Sequence, residues 1–254
     1  MQASTSMRIL LLSDVHANRF GLEAVLAHAQ GQYDQALCLG DVVGYGAHPN
    51  ECCQILRDIR AWCLRGNHDA AAIDQLSIAD FNSIASAAMR WTRRQLSVVN
   101  ISWLESLKST LDREEEEFQA VHGSIRDPLE EYVFDTPTAR TSLALMTRPV
   151  CFYGHTHIAE FYSQPLVQGT TRPQNDDFLR GGKLQLDPQQ RYMVNPGSCG
   201  QPRDGNPQAR YGLFDTVARH LEVRALDYPW QAAREAILQA GLPQELGDRL
   251  LTGD

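Results

Sequence analysis

Five histidines of this sequence lie in short polar clusters that otherwise contain mainly Asp, Asn and Gly. They are His16, His68, His122, His155 and His157, out of eight histidines in the chain. For any one of them alone, a hydrogen-bonded residue of the core or surface would be the better interpretation. Five together favour a shared metal site, because imidazole is the commonest protein ligand of transition metals.

The clusters differ in specificity. An aspartate two residues before a histidine, as in Asp14 and His16, or directly after a glycine, as in Asp41, occurs by chance in many turns. The run Gly-Asn-His-Asp at 66–69 is more specific, since an ordinary turn needs only one or two of these residues. The run Gly-His-Thr-His at 154–157 is also specific, because two histidines one residue apart can converge on one site.

Each cluster follows an apolar run of strand length, and helical patterns follow several of them. The apolar runs cover 8–13, 36–39, 61–64, 118–121 and 149–153. Continuous apolar strands alternating with helices predict an α/β fold with a sheet buried on both faces. Ligands bind at the carboxyl edge of such sheets, so the clusters are expected to meet there.

The candidate ligands combine carboxylate oxygen, amide oxygen and imidazole nitrogen without a thiolate. The lack of cysteine disfavours a structural zinc site, and the number of imidazoles disfavours calcium or magnesium. Manganese, iron and catalytic zinc remain open.

The last third of the chain has a different pattern. Short strands are predicted at 160–163, 183–186, 192–195, 211–215 and 221–225, forming a second sheet packed on the first, with a closing helix near 230–240. Residues 168–182 are interpreted as a long hairpin loop and residues 112–117 as a solvated turn. We expect residues 1–6 to be a frayed tail and residues 7–254 to form a single domain.

Composition narrows the function classes. The chain has 254 residues, a formal net charge of −8 and six cysteines. This charge is unlike the basic footprint of a nucleic-acid binder, so no nucleic-acid partner is expected. The cysteines are interpreted as reduced, and neither a signal peptide nor a membrane span is predicted, so we expect a cytoplasmic protein. Oligomeric state stays open.

Together the motifs D-x-H, G-D, G-N-H-D, H-G and G-H-T-H resemble those of the calcineurin-like metallophosphoesterase superfamily. The resemblance covers residues 7–198 and is specific as an ordered set. It implies a four-layer fold, a two-sheet β-sandwich flanked by helices. The segments Asn-Pro-Gly-Ser at 195–198 and Gln-Pro-Arg at 201–203 resemble a bacterial branch of protein-phosphatase-like or diadenosine-tetraphosphatase-like proteins.

The resemblance also implies two divalent metal ions, with Mn or Fe expected and Zn as an alternative. The ligands of the first metal would be Asp14, His16 and His157. The ligands of the second would be Asn67, His122 and His155, with Asp41 bridging the two metals. Two such metals about 3.5–4 Å apart clamp an in-line displacement at phosphorus, and they lower the pKa of a bridging water towards ~7.

Further roles are implied beside the metals. His68 would face the substrate as a cationic acid, Asp69 would orient it, and Arg65 would hold the phosphate. Asn67 would also contact the substrate. Arg203 is either a substrate contact or an ordinary loop residue. Asp69 could also simply cap a helix, and Arg65 could be a surface charge.

The resulting functional hypothesis is a metal-dependent phosphoesterase that uses metal-bound hydroxide. The first hypothesis is a phosphomonoesterase or Ser/Thr protein phosphatase that acts on a phosphoprotein or a small phosphoester. No membrane partner is expected. A phosphodiesterase or dinucleoside-polyphosphate hydrolase is the alternative. A metal-binding scaffold without turnover is a third. The natural substrate depends on three predicted rim loops, at 44–50, 125–134 and 168–182.

Overall fold

A computed structural model describes residues 6–166 and 172–254, in which two mixed six-stranded sheets are flanked by helices. The strands are β1 (Arg8–Leu12), β2 (Gln35–Cys38), β3 (Trp62–Cys63), β4 (Thr110–Arg113), β5 (Phe118–Val121), β6 (Val150–Phe152), β7 (Ala159–Pro165), β8 (Gln174–Asp177), β9 (Gly182–Gln185), β10 (Gln190–Pro196), β11 (Ala209–Asp215) and β12 (His220–Leu226). The helices are α1 (Arg19–His28), α2 (Pro49–Asp58), α3 (Asn67–Ala72), α4 (Ser83–Gln95), α5 (Val98–Ser106), α6 (Thr136–Leu145), α7 (Trp230–Gln239) and α8 (Gln244–Thr252).

Each sheet contains a parallel part. The first sheet has the order β3-β2-β1-β11-β12-β9, and β1, β2 and β3 are parallel. The second has the order β4-β5-β6-β10-β7-β8, and β5, β6 and β10 are parallel. The polar clusters follow β1, β2, β3, β5 and β6, so the parallel strands of both sheets deliver them to one end of the sandwich.

Strand β1 shows how the layers are held together. Its side chains alternate between two cores, as the two-residue period of a strand requires. Ile9 and Leu11 join a cluster between the sheets that includes Phe118 and Phe152 of the second sheet. Leu10 and Leu12 join a cluster with the helices, which includes Leu22 of α1. The four-layer α/β arrangement expected from the sequence is therefore present.

The composition of the second sheet differs from the prediction. The strands of the last third do not form a sheet of their own: β11 pairs antiparallel with β1, whereas β10 pairs parallel with β6. Both sheets therefore contain early and late strands. The reason is that β1 and β6 are buried strands, and each needs a hydrogen-bonding neighbour on both sides.

Three local predictions also need correction. Residues 174–177 form β8, and β9 begins at Gly182 in the other sheet, so residues 172–182 are not one hairpin loop. The predicted turn at 112–117 starts only after β4 ends at Arg113. Helix α8 follows α7 and was not predicted. The polar strands β4 and β8 lie at the edges of the second sheet, where no apolar pattern is needed.

The predicted tail at 1–6 and the predicted loop at 168–182 fall partly outside the described residues, at 1–5 and 167–171. All six cysteines are free, and five of them are buried. Within residues 6–166 and 172–254, none of the helices has both the length and the apolar character that crossing a bilayer requires.

Candidate metal centre

The seven predicted ligands meet at one end of the sandwich, and all of them are buried. Three come from the first sheet through the loops after β1 and β2. One begins α3 after β3, and three follow β5 and β6 of the second sheet. The site therefore lies across the carboxyl ends of both parallel parts, where the sequence placed it.

One group combines Asp14, His16 and His157. The Nε2 atoms of His16 and His157 are 3.2 Å apart. Nε2 of His157 lies 3.4 Å from Oδ1 of Asp14. Ligand atoms of all three lie within 4.8 Å of one another, which suits a single cation.

The second group surrounds His122. Its Nε2 atom lies 3.2 Å from Oδ1 of Asn67 and 3.1 Å from Nδ1 of His155. Asp41, His122 and His155 form a second compact set of ligand atoms. Asn67 adds an amide oxygen to this set, as expected for the second metal.

Asp41 faces both groups. Its Oδ2 atom lies 3.5 Å from Nε2 of His16 and 3.4 Å from Nε2 of His122. Its other oxygen, Oδ1, accepts a hydrogen bond of 2.8 Å from the backbone N–H of His68. One carboxylate oxygen is thus held toward both sets, which fits a bridging ligand.

The outer nitrogens of the four ligand imidazoles all contact backbone carbonyl oxygens. His16 and His122 use Nδ1, toward Val43 at 3.2 Å and Leu39 at 3.0 Å. His155 uses Nε2 toward the carbonyl of Glu130 at 3.2 Å, and His157 uses Nδ1 toward that of Gln201 at 2.5 Å. A carbonyl only accepts, so each outer nitrogen carries the proton. The inner nitrogens of His16, His155 and His157 thus keep their lone pairs for a metal, an arrangement common among metal-binding histidines.

The electrostatics suit metal binding. Burial lowers the pKa of His16 and His157 well below the ordinary value, and burial lowers that of His155 to about 3. These three imidazoles are therefore neutral, the form that ligates metals. Burial also disfavours a cationic His122, but the Asp41 carboxylate outweighs it and raises the pKa of His122 to about 9.

The backbone around the ligands is unusual. Five of the seven ligands have positive φ, between 46° and 67°: Asp14, His16, Asp41, His155 and His157. Such φ values are uncommon outside glycine and cluster at functional sites. Close approach also explains two glycines, since a Cβ on Gly66 would lie 2.1 Å from Oδ1 of Asp41, and one on Gly154 would lie 2.1 Å from Oγ of Ser13.

His68 lies beside the centre but is not cationic. Its ring packs 4.4 Å from that of Tyr45 and 5.1 Å from that of Phe81, centroid to centroid. Its Nδ1 atom is buried and has no hydrogen-bond partner among the residues that the structure describes. Burial lowers the pKa of His68 to about 4. The expectation that His68 is cationic near neutral pH is therefore wrong for the protein without metal, because burial removes water from the ring.

Asp69 does not touch the His68 ring among the described contacts. Its Oδ1 atom accepts from the backbone N–H of Val43, and Oδ2 from that of Gly66, both at 3.0 Å. The second bond is the backward half of a capping box at the start of α3. Asp69 thus holds the backbone on either side of the site, and the predicted direct orientation of His68 is not observed.

The two arginines are placed differently. Arg65 donates from Nη1 to Oε1 of Gln75 at 2.7 Å. Arg203 lies with its guanidinium carbon 5.8 Å from the Tyr45 ring centroid and donates to Oε1 of Gln201 at 3.0 Å. Burial is the main cause of the lowered pKa of His157, and the charge of Arg203 is the next. Arg203 therefore lies beside the centre through Tyr45, whose ring is 4.7 Å from that of His16. The phosphate-binding role of Arg65 stays a prediction.

The sequence did not single out two aromatic residues at the rim. The ring of Tyr132 stacks on that of the predicted ligand His155, with centroids 3.7 Å apart, and Phe134 stacks on Tyr132. Both lie in the predicted rim loop at 125–134. Their spacing matches no motif, so only the fold shows that Tyr132 contacts the centre and that Phe134 packs on its outer side.

Comparison with known proteins agrees with this geometry. The family model described as the calcineurin-like phosphoesterase superfamily domain matches residues 7–219. An uncharacterised protein of Methanocaldococcus jannaschii is 33% identical over 249 residues, which cover 96% of this chain and 98% of that protein.

Two solved structures are similar over nearly the whole chain. A metallophosphoesterase from Sphaerobacter thermophilus is 36% identical with a TM-score of 0.85, covering 98% of this chain and 100% of that one. A hypothetical protein from Pyrococcus horikoshii is 18% identical with a TM-score of 0.77, covering 97% and 98%. The second comparison concerns the fold alone.

Proposed function

We propose that this chain, which belongs to the calcineurin-like phosphoesterase superfamily, hydrolyses phosphomonoesters at a centre of two divalent metal ions. Membership implies phosphate-ester hydrolysis in general, and the preference for monoesters is the proposal. The observation that carries the dinuclear centre is the position of Asp41, whose Oδ2 atom faces His16 and His122 at 3.5 and 3.4 Å. Mn or Fe is the proposed metal, with Zn as the alternative.

When bound, two such ions supply positive charge for the phosphoryl group and a water of lowered pKa. The protein residues position the ligand side chains and bind the phosphate. Four backbone carbonyls fix the ligand imidazoles, as described above. Arg203 offers its guanidinium to phosphate oxygens, for which its planar donor geometry is suited. In the overall reaction, water oxygen joins phosphorus, the bond from phosphorus to the leaving oxygen breaks, and that oxygen takes up a proton.

The charge of Arg203 supports the monoester preference. Its described hydrogen-bond acceptors are Oε1 of Gln201 at 3.0 Å and the hydroxyl of Tyr45 at 3.5 Å, both neutral. None of the ion pairs within residues 6–166 and 172–254 includes Arg203. Its guanidinium is therefore without a paired carboxylate among these residues and could pair with a bound anion. A monoester dianion carries one more negative charge than a diester, so it gains more from this cation.

The test is a reconstitution assay. The metal-free protein is loaded with Mn²⁺, Fe²⁺ or Zn²⁺ and assayed on p-nitrophenyl phosphate, a phosphoserine peptide and bis-p-nitrophenyl phosphate. We expect turnover of the monoesters to exceed that of the diester. Faster diester turnover would favour the phosphodiesterase alternative, and no turnover with any of the three metals would overturn the proposal.

A further inference from the structure

Two aromatic rings continue outward from the metal centre. The ring of Tyr132 lies 3.7 Å from that of His155 at an interplanar angle of 19°. The ring of Phe134 lies 5.0 Å from that of Tyr132 at 5°. We call these two residues, Tyr132 and Phe134, the ring stack. It begins on a ligand of the second metal group and ends at solvent.

The ring stack is exposed although it is apolar. Tyr132 is 41% exposed and Phe134 is 57% exposed. Val133, between them, is 1% exposed and packs with Leu143 and Met193 in a core cluster. The segment therefore anchors itself through Val133 and turns both rings outward. Core packing explains Val133 but not the exposure of its neighbours.

The loop that carries the rings is fixed at several points. The carbonyl of Glu130 contacts Nε2 of His155 at 3.2 Å. Glu131 accepts a 2.5 Å hydrogen bond from Ser124. Asp135 caps α6 by accepting from the N–H of Thr138 at 2.8 Å. A surface held on both sides of the rings is already organised for binding, which reduces the entropy lost when a ligand binds.

A cation lies at the rim of the same metal centre. Burial raises the pKa of Tyr132, and the charge of Arg203 opposes this rise. Arg203 also lies over Tyr45, whose ring is 4.7 Å from that of His16 in the other metal group. A guanidinium for phosphate and a flat apolar surface for a ring thus lie on the same rim.

We infer that the ring stack binds the nucleobase of a nucleotide substrate whose phosphate reaches the metal centre. This inference rests on the proposed function and names its substrate class. A free aromatic face accepts any base, since every base has a π-face. Phe134 lies two rings out from His155. The base and the reacting phosphorus are therefore separated, as they are in a nucleotide by its sugar and phosphates.

The test compares substrates that differ only by the base. AMP is paired with ribose 5-phosphate, and ATP with tripolyphosphate, using the Mn²⁺-loaded protein. p-Nitrophenyl phosphate is avoided here because its own ring could stack. Base stacking on an aromatic side chain typically changes affinity by about 5- to 150-fold. We expect kcat/KM to favour the base-containing member of a pair by about this factor.

Variants locate the effect. Phe134→Leu should remove the preference, and Phe134→Trp, which retains a ring, should keep it. Val217→Ala serves as the matched control. Val217 is also exposed, at 55%, but it lies in the turn between β11 and β12, at the end of β1 that is remote from the metal centre. Equal kcat/KM within both pairs, or a preference that survives Phe134→Leu, would overturn the inference.

The two proposals fail in different ways. Hydrolysis of ribose 5-phosphate as efficiently as AMP, and of tripolyphosphate as efficiently as ATP, would leave the phosphoesterase proposal intact and refute the nucleobase site. If no phosphate compound is turned over, calorimetric binding of AMP and ATP still tests the ring stack. Binding that Phe134→Leu does not weaken would then count against it.

Discussion

The Oδ2 atom of Asp41 lies 3.4 Å from Nε2 of His122, and the same oxygen also faces the other metal group. A single carboxylate oxygen is therefore shared between two buried sets of ligands. This relationship makes binding of the two metals interdependent.

Asp41→Asn should weaken binding at both positions, because the bridge loses its charge while its size is kept. Changes to groups that merely support ligands cost about 10–100-fold in metal affinity, so loss of this ligand should cost more than about 100-fold. Metal content per chain, measured by mass spectrometry after dialysis, checks this. Asp80→Asn, at an exposed position, is the control. Two metals retained in Asp41→Asn would show that Asp41 is not a bridge.

Arg203→Ala should lower kcat/KM for a monoester while leaving the metal content unchanged. A hydrogen bond to a charged group contributes about 1.5–3 kcal/mol, so the expected loss is roughly 10- to 150-fold. Arg203→Lys should recover only part of it, since lysine lacks the planar pair of donors. Steady-state kinetics on phosphoserine peptide and ribose 5-phosphate measure the effect.

Arg65→Ala is the matched comparison for Arg203→Ala. Arg65 donates to Gln75 at 2.7 Å, and no described side-chain contact joins it to the metal centre. Arg203 lies over Tyr45, whose ring is 4.7 Å from that of His16, so we expect a smaller loss for the Arg65 variant. If the Arg65 variant is the more impaired of the two, the phosphate is held by Arg65, and the assignment of Arg203 is wrong.

The candidate metal ligands could be predicted from the sequence because each lies in a short polar cluster. Asp14, Asp41 and His122 follow apolar strands directly, and the fold carries parallel strand ends to one edge. Even their pairing into two groups agrees with the expected roles. For these residues the local sequence pattern and the topology of the sheets predict the same site.

Other features depend on contacts between distant residues and leave no local sign. The late strands are divided between the two sheets because β1 in one sheet and β6 in the other each need a hydrogen-bonding neighbour. The neutral state of His68 follows from its packing between Tyr45 and Phe81, which are remote in sequence. Tyr132 reaches His155 only through the loop after β5.

Asp69→Ala should destabilise the folded protein. Two backbone N–H groups, of Val43 and Gly66, would lose their acceptor in a buried setting. Each buried group left unsatisfied costs about 1–3 kcal/mol, so a loss of roughly 2–6 kcal/mol is expected. Denaturant unfolding of the metal-free protein measures it. Glu105→Gln, at an exposed position of α5, should change nothing. A denaturation midpoint of Asp69→Ala equal to that of the wild type would show that Asp69 does not stabilise the fold.

Removing the metals should lower the melting temperature. In the metal-free protein, burial raises the pKa of Asp14 to about 6, and repulsion from Asp41 adds to this. Metal at about 100 times its Kd stabilises the fold by about 2.7 kcal/mol per site. For a chain of this size each kcal/mol corresponds to roughly 2–4 °C, so one site should add roughly 5–10 °C. Calorimetry with and without chelator measures this, and the Asp41→Asn variant should show a much smaller difference.

Arg210→Met should destabilise the loop that carries Arg203. Arg210 is fully buried, pairs with Asp204, and donates to the carbonyls of Phe178 and Leu179 at 3.1 and 2.6 Å. Breaking a buried pair on one side costs about 3–5 kcal/mol because the partner charge is left uncompensated. Adding Asp204→Leu removes that charge, so the double variant should be more stable than Arg210→Met alone. Denaturant midpoints of the three proteins measure this, and a double variant less stable than Arg210→Met would contradict it.

Because the pair closes the segment between β10 and β11, the single variant should also raise KM for phosphate esters.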